Sequence, residues 1–170
     1  MDWTTFFVVS AGASATLVGL LFIGVQINLE RFGDDPTNPW SLLARSTYVI
    51  FALLFLGSLL FLMPSFVDAL RGEILVGLSV SGIIRVVRSW RALRDFRRQF
   101  GARILMILIA LPLAGYGLTV IGGAWLWIRH GTPDQARQMI SLGFWFLYVV
   151  ALRSSWNLLF DARQAPRATR

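Results

Sequence analysis

Apolar stretches long enough to cross a bilayer alternate along the chain with short polar segments, and the first of them sets the pattern. Residues 4–29 read TTFFVVSAGASATLVGLLFIGVQINL and carry no charge, whereas about 20 predominantly apolar residues suffice for a helix to span hydrocarbon. This run predicts a transmembrane helix. Small residues recur along it at helical spacing, with Ala11, Ala15 and Gly19 every four positions and Gly12 beside them, the arrangement that lets another helix approach closely. The far end carries Gln26, Asn28 and Glu30, polar groups that must meet protein or water because lipid tails cannot solvate them.

After Glu30 the turn-forming run RFGDDPTNP leads to Asn38-Pro39, an N-cap followed by proline at the first helical position. A second span over 40–63 is expected there, closed by Pro64, with Arg45 near enough to its start to snorkel. The third region is shorter: 73–87 is apolar apart from Ser79, Ser81 and Arg85. Its uninterrupted apolar core suits a re-entrant or interfacial segment. Residues 72–90 as a whole nevertheless reach across at about 1.5 Å per residue if Arg85 and Arg88 snorkel. The run RSWRALRDFRRQFGAR that follows sets Arg88, Arg91, Arg94, Arg97, Arg98 and Arg103 against Asp95, which marks a cytoplasmic loop by the positive-inside rule. A fourth span over 104–128 contains Pro112 with Gly115 and Gly117 just beyond, predicting a kink. Thr132-Pro133-Asp134-Gln135 then reads as a capping box opening a last span over 135–160, ahead of a basic tail at 163–170.

The pattern therefore predicts an all-α integral membrane bundle over residues 1–162. Five spans put the amino terminus outside and the carboxyl terminus in the cytoplasm. Four spans, with 73–101 as an amphipathic helix on the cytoplasmic surface, put both termini inside. The polar residues favour five, because Gln26, Asn28, Glu30, Arg45, Arg85, Arg153 and Asn157 then share one depth near the cytoplasmic side and can satisfy one another. The tryptophans agree: Trp3, Trp125 and Trp127 fall toward one interface and Trp40, Trp90 and Trp156 toward the other.

Composition narrows the function classes. Of the 170 residues 56% are hydrophobic, above the roughly 45–50% of a soluble domain. All 16 basic residues are arginine, a bias typical of GC-rich bacterial genomes, so a bacterial inner membrane is the expected location. The net charge of +7 sits beside apolar spans, where it orients the chain and meets anionic lipid; nucleic acid is not expected. Cysteine is absent, which excludes thiolate chemistry. Ala13-Ser14-Ala15 has the form of a signal cleavage site, yet the apolar run follows it after an acidic start, so the first span is expected to stay.

Three groups of residues are candidate sites. Gly12, Ala15, Gly19, Phe22 and Gln26 share a face of the first helix, extended a turn by Glu30. Two readings fit them: the wall of a pore in a ring of subunits, or a packing seam with Gln26 as hydrogen-bonding glue. Arg153, Asn157 and Asp161 recur every four residues on the last helix, and an intramembrane arginine here has Glu30 as its candidate partner, either coordinating an anion or fixing helix register. Arg85, Arg88, Arg91, Arg94 and Arg97 recur every third residue, with Arg98 adjoining. That spacing resembles a voltage sensor, but the charges spiral and lack buried acidic partners, so an orienting, lipid-contacting helix is expected. His130 stands alone in a loop, and no cofactor, metal-ligand set or catalytic triad can be assembled around it. Enzyme activity is not expected.

The stretch ASATLVGLLFIGVQINLERFGDDPTNPW resembles small bacterial multi-pass proteins of unassigned function that carry GLLF-x-x-x-x-INL in the first helix. More weakly, its Ser-Ala, Gly and Gln positions and the acidic, proline-containing loop resemble the first helix of the Orai calcium channels. In that family the first helix lines a central pore and a glutamate ring selects the ion; Gln26 stands at the matching position. The resemblance implies a homo-oligomer that passes inorganic ions. A module that binds a partner protein or anionic lipid through the arginine-rich loop is the other class the sequence leaves open.

Overall fold

The computed structural model describes residues 3–27, 39–93, 97–128 and 133–160. Five helices account for nearly all of them: α1 (Trp3–Ile27), α2 (Pro39–Leu62), α3 (Asp68–Leu93), α4 (Arg97–Ile128) and α5 (Pro133–Phe160). Proline opens both α2 and α5, where its missing N–H costs nothing because the first helical amides are unpaired anyway. Pro64 closes α2, since it offers no N–H to the ladder.

Two boundaries differ from the expectation. The helix through the third region extends from Asp68 to Leu93, beyond 72–90, and α4 begins at Arg97 instead of 104. Arginine is a good helix former, so the charged run 88–103, read as a loop, is helical up to Leu93 and again from Arg97. α4 also continues as one helix through Pro112.

Contacts between helices fix their directions. Phe7 of α1 stacks on Phe61 of α2 at 4.1 Å and Ser10 lies against Ser58, so these two run antiparallel. The ring of Phe144 on α5 meets Phe7 edge-on at 6.3 Å, and Tyr148, one turn later, meets Ser14; α5 is therefore parallel to α1. Gly72 and Gly82 of α3 abut Gly123 and Tyr116 of α4, and Gly115 and Gly122 of α4 abut Gly143 and Ile140 of α5, which makes both pairs antiparallel. Along the chain, then, each helix reverses the one before it.

The core lies between α2 and α5, with α1 on one side and α3 and α4 on the other. Phe51, Leu54, Leu75, Ile140, Phe144 and Leu147 are fully buried there. Glycine brings the backbones together where the core narrows: a Cβ on Gly143 would lie 2.7 Å from the Gly115 carbonyl oxygen, a separation that no side chain tolerates. Gly115, Gly122 and Gly123 of α4 thus act as contact points between helices, a use that small residues serve widely in membrane bundles, while Gly117 faces open space.

Candidate functional site

The flank singled out on α1 is bare. Gly12, Ala15, Gly19 and Gln26 are exposed, Phe22 is 61% exposed, and a Cβ on Gly12 or Gly19 would meet nothing within 4 Å. The buried face of the helix is a different one, carrying Phe7, Ser10, Ala11, Ser14 and Leu21. Ala11, grouped with Ala15 and Gly19 by spacing alone, belongs to this inner face. Thr16 is exposed on the bare flank, where its hydroxyl donates to the Gly12 carbonyl oxygen at 2.9 Å, a back-bond that keeps a polar side chain satisfied without a partner helix.

On the inner face sits a hydroxyl cluster that the sequence reading passed over. Tyr148 of α5 donates to the Ser10 carbonyl oxygen at 2.5 Å and lies 3.0 Å and 2.5 Å from the Ser10 and Ser14 hydroxyls. Ser58 of α2 is 2.9 Å from the Ser10 hydroxyl and 2.7 Å from its own helix's Leu54 carbonyl. One tyrosine and three serines thus tie α1, α2 and α5 together, with the three serines buried and Tyr148 half-buried. Single serines within apolar runs are unremarkable in a sequence; the clue was that Ser10 and Ser14 share a face with Phe7 and Leu21.

Those members of the expected polar layer whose side chains are described are not gathered in the interior of the chain. Gln26, Arg45, Arg85 and Arg153 are each exposed, and Asn28 and Glu30, with Asp161 and the tail 163–170, lie outside the described residues. Asn157 falls within the last turn of α5. Because α1 and α5 are parallel, Gln26 and Arg153 lie toward the same end of the bundle. Of the arginine series, Arg85 and Arg88 are exposed on α3 beside exposed Ile84 and Val87. Arg91 follows on the same helix, Arg97 and Arg98 open α4, and Arg94 is outside the described residues.

Among the described residues, the ion pairs lie at the opposite end. Arg71 of α3 donates to Asp68 at 2.8 Å and to the Met63 carbonyl oxygen at the end of α2 at 2.7 Å, so one guanidinium both pairs with a carboxylate and caps the preceding helix. Its plane lies over the Phe61 ring at 5.9 Å, within cation–π range. Arg137 of α5 approaches Asp68 at 4.0 Å and Asp134 at 3.6 Å. Sequence spacing reveals the local pairs, but not that two separate helix starts share Asp68.

Four of the five helices are long and apolar enough to cross a membrane, and the chain is accordingly a helical, multi-pass membrane protein. Comparison with protein-family models, with curated proteins and with solved structures finds no match to this chain.

Proposed function

We propose that the chain is a five-span, homo-oligomeric membrane pore of the bacterial inner membrane, with α1 nearest the axis. The observation that carries this reading is the bare flank of α1. Gly12, Ala15, Thr16, Gly19 and Gln26, with the large Phe22 among them, line one flank of the helix, and no described residue of its own chain covers Gly12 or Gly19. Lipid gains nothing from glycine and solvates an amide poorly, whereas a ring of copies would use the small residues for width and Gln26 for a polar constriction.

The topology rests on direction. α3 carries too many charges to stand out as a span by hydropathy, yet it lies antiparallel to both α2 and α4 and buries Gly72, Leu75, Ser79 and Gly82. With α1 and α5 parallel, a crossing by α3 puts the arginine-rich run 88–103 and the carboxyl end on the side of Gln26, the cytoplasm by charge. A second reading, contact with anionic lipid, is favoured by exposed Arg85 and Arg88 among apolar neighbours on α3.

Ion flux into liposomes tests the pore. Purified protein should release a potassium or chloride gradient, and Gln26→Ala should change conductance or selectivity. Liposomes that stay tight to monovalent and divalent ions across applied voltages, with the protein shown to be inserted and folded, would overturn it. Reporters placed after residue 100 and at the amino terminus should answer from opposite sides of the membrane; the same side would return α3 to the surface.

A further inference from the structure

A cleft of about 570 Å³ opens at the end of the bundle away from Gln26. It lies between the α2–α3 turn, the end of α4 and the start of α5, with Pro64, Phe66, Val67, Trp125 and Leu126 along its wall and Asp68, Arg71 and Arg137 as its charged groups. That volume falls within the roughly 300–1,000 Å³ of small-ligand sites, which join an apolar wall to a few fixed polar groups.

The donor count decides which ligand it suits. Each guanidinium offers five N–H groups and no acceptor. Arg71 uses two donors, on Asp68 and the Met63 carbonyl oxygen; its Nε, without a partner among the described residues, is buried out of reach of the cleft. Among the described residues Arg137 is held by ion pairs of 3.6 Å and 4.0 Å, beyond hydrogen-bond length. Both oxygens of Asp68 already face a guanidinium, so among the described residues the charged group of the cleft without a close partner is Arg137, a donor, and the fitting occupant is an acceptor. The first turns of α3 and α5, both at this cleft, add partial positive charge.

We infer that this cleft binds the oxyanion head, phosphate or carboxylate, of a small amphiphile: Arg137 swings from its long ion pairs to grip the head while the chain of the ligand lies along Trp125 and Leu126. Arg71, pinned to Asp68 and Met63, positions the pocket floor. This inference does not depend on the pore reading, because binding is measured without flux.

The test uses the full chain in a neutral maltoside detergent, with dodecyl phosphate, phosphatidylglycerol and inorganic phosphate as separate probes, read by thermal stabilisation and native mass spectrometry. Dodecyl phosphate should bind, and Arg137→Gln should weaken it about tenfold or more, the loss of a charge-assisted contact. Arg137→Lys should recover part of the affinity, because the charge is kept while the planar fork is lost. Trp125→Ala should weaken dodecyl phosphate, and phosphatidylglycerol should bind if the amphiphile is a membrane lipid; inorganic phosphate binding as well as dodecyl phosphate, with Trp125→Ala without effect, would mark the ligand as a free anion and overturn the amphiphile. Binding by none of the probes, or equal binding by wild type and a folded Arg137→Gln, would overturn the inference.

Discussion

Gly72 of α3 and Gly123 of α4 meet backbone against backbone: a Cβ placed on Gly72 would collide with the Gly123 carbonyl oxygen and stand 2.7 Å from the Trp127 amide nitrogen. None of these atoms belongs to a flexible side chain, so the two helices themselves must part. Gly72→Ala should therefore destabilise the bundle by about 1–3 kcal/mol, the usual cost of overpacking. Gly77, one and a half turns further along α3, has nothing within 4 Å. Gly77→Ala should instead stabilise by up to about 1 kcal/mol through helix propensity. Unfolding in mixed micelles of increasing SDS fraction would rank the two against wild type.

Removing the hydroxyl of Tyr148 probes the three-helix tie. Tyr148→Phe keeps the ring but loses the bond to the Ser10 carbonyl oxygen, and it should cost about 0.6–1.7 kcal/mol, the range measured for hydrogen bonds between membrane helices. The loss stays modest because Ser14 and Ser58 retain carbonyl acceptors in their own helices at 2.8 Å and 2.7 Å. Ser79 supplies the contrast: its hydroxyl is buried with no partner among the described residues. Ser79→Ala should be neutral or stabilising in the same micelle titration, because an unmet polar group is removed.

Asp68 and Asp134 should respond differently to the same change. Asp68→Asn takes the charged partner from Arg71, whose side chain is only 12% exposed, and should cost about 1.5–3 kcal/mol, as for hydrogen bonds to charged groups. The side chain of Asp134 is 71% exposed and sits 3.6 Å from Arg137, so Asp134→Asn should cost below about 1 kcal/mol and less still in high salt. Thermal melts of both variants at low and high ionic strength would show the difference.

The bare flank of α1 offers a direct test of assembly, because the chain has no cysteine and any one introduced is unique. Phe22→Cys should crosslink between copies on oxidation if the flank faces another α1 near the axis, since a disulfide needs Cα atoms within about 7 Å. Leu21→Cys, at a position 4% exposed within its own chain, should not. Gly19→Leu should leave the fold of each chain intact, because its surroundings are open, while changing the subunit count measured in detergent.

Much of the architecture was legible in the sequence. Long uncharged runs, Pro39 and Pro133 at helix starts and Pro64 at an end are local signals, and the helices begin and stop where those signals place them. The arginine-rich run is the exception: charge suggests a loop, whereas arginine favours helix and α3 and α4 extend into it. Gly115 read as a bend beside Pro112; it is a contact with α5, and spacing within one helix cannot say which neighbour a glycine faces. The same blindness hid the Tyr148 cluster, whose members lie up to 138 residues apart.

By itself the sequence determined that the chain is helical and membrane-embedded, because burial in lipid demands long apolar segments whose backbone bonds are all satisfied within the segment. Only the tertiary structure decided which face of α1 turns inward, that α1 and α5 run parallel, and that Asp68 serves two arginines from different helices. Those features depend on how helices dock, and docking is set by the shapes of surfaces that separate stretches of chain present to one another.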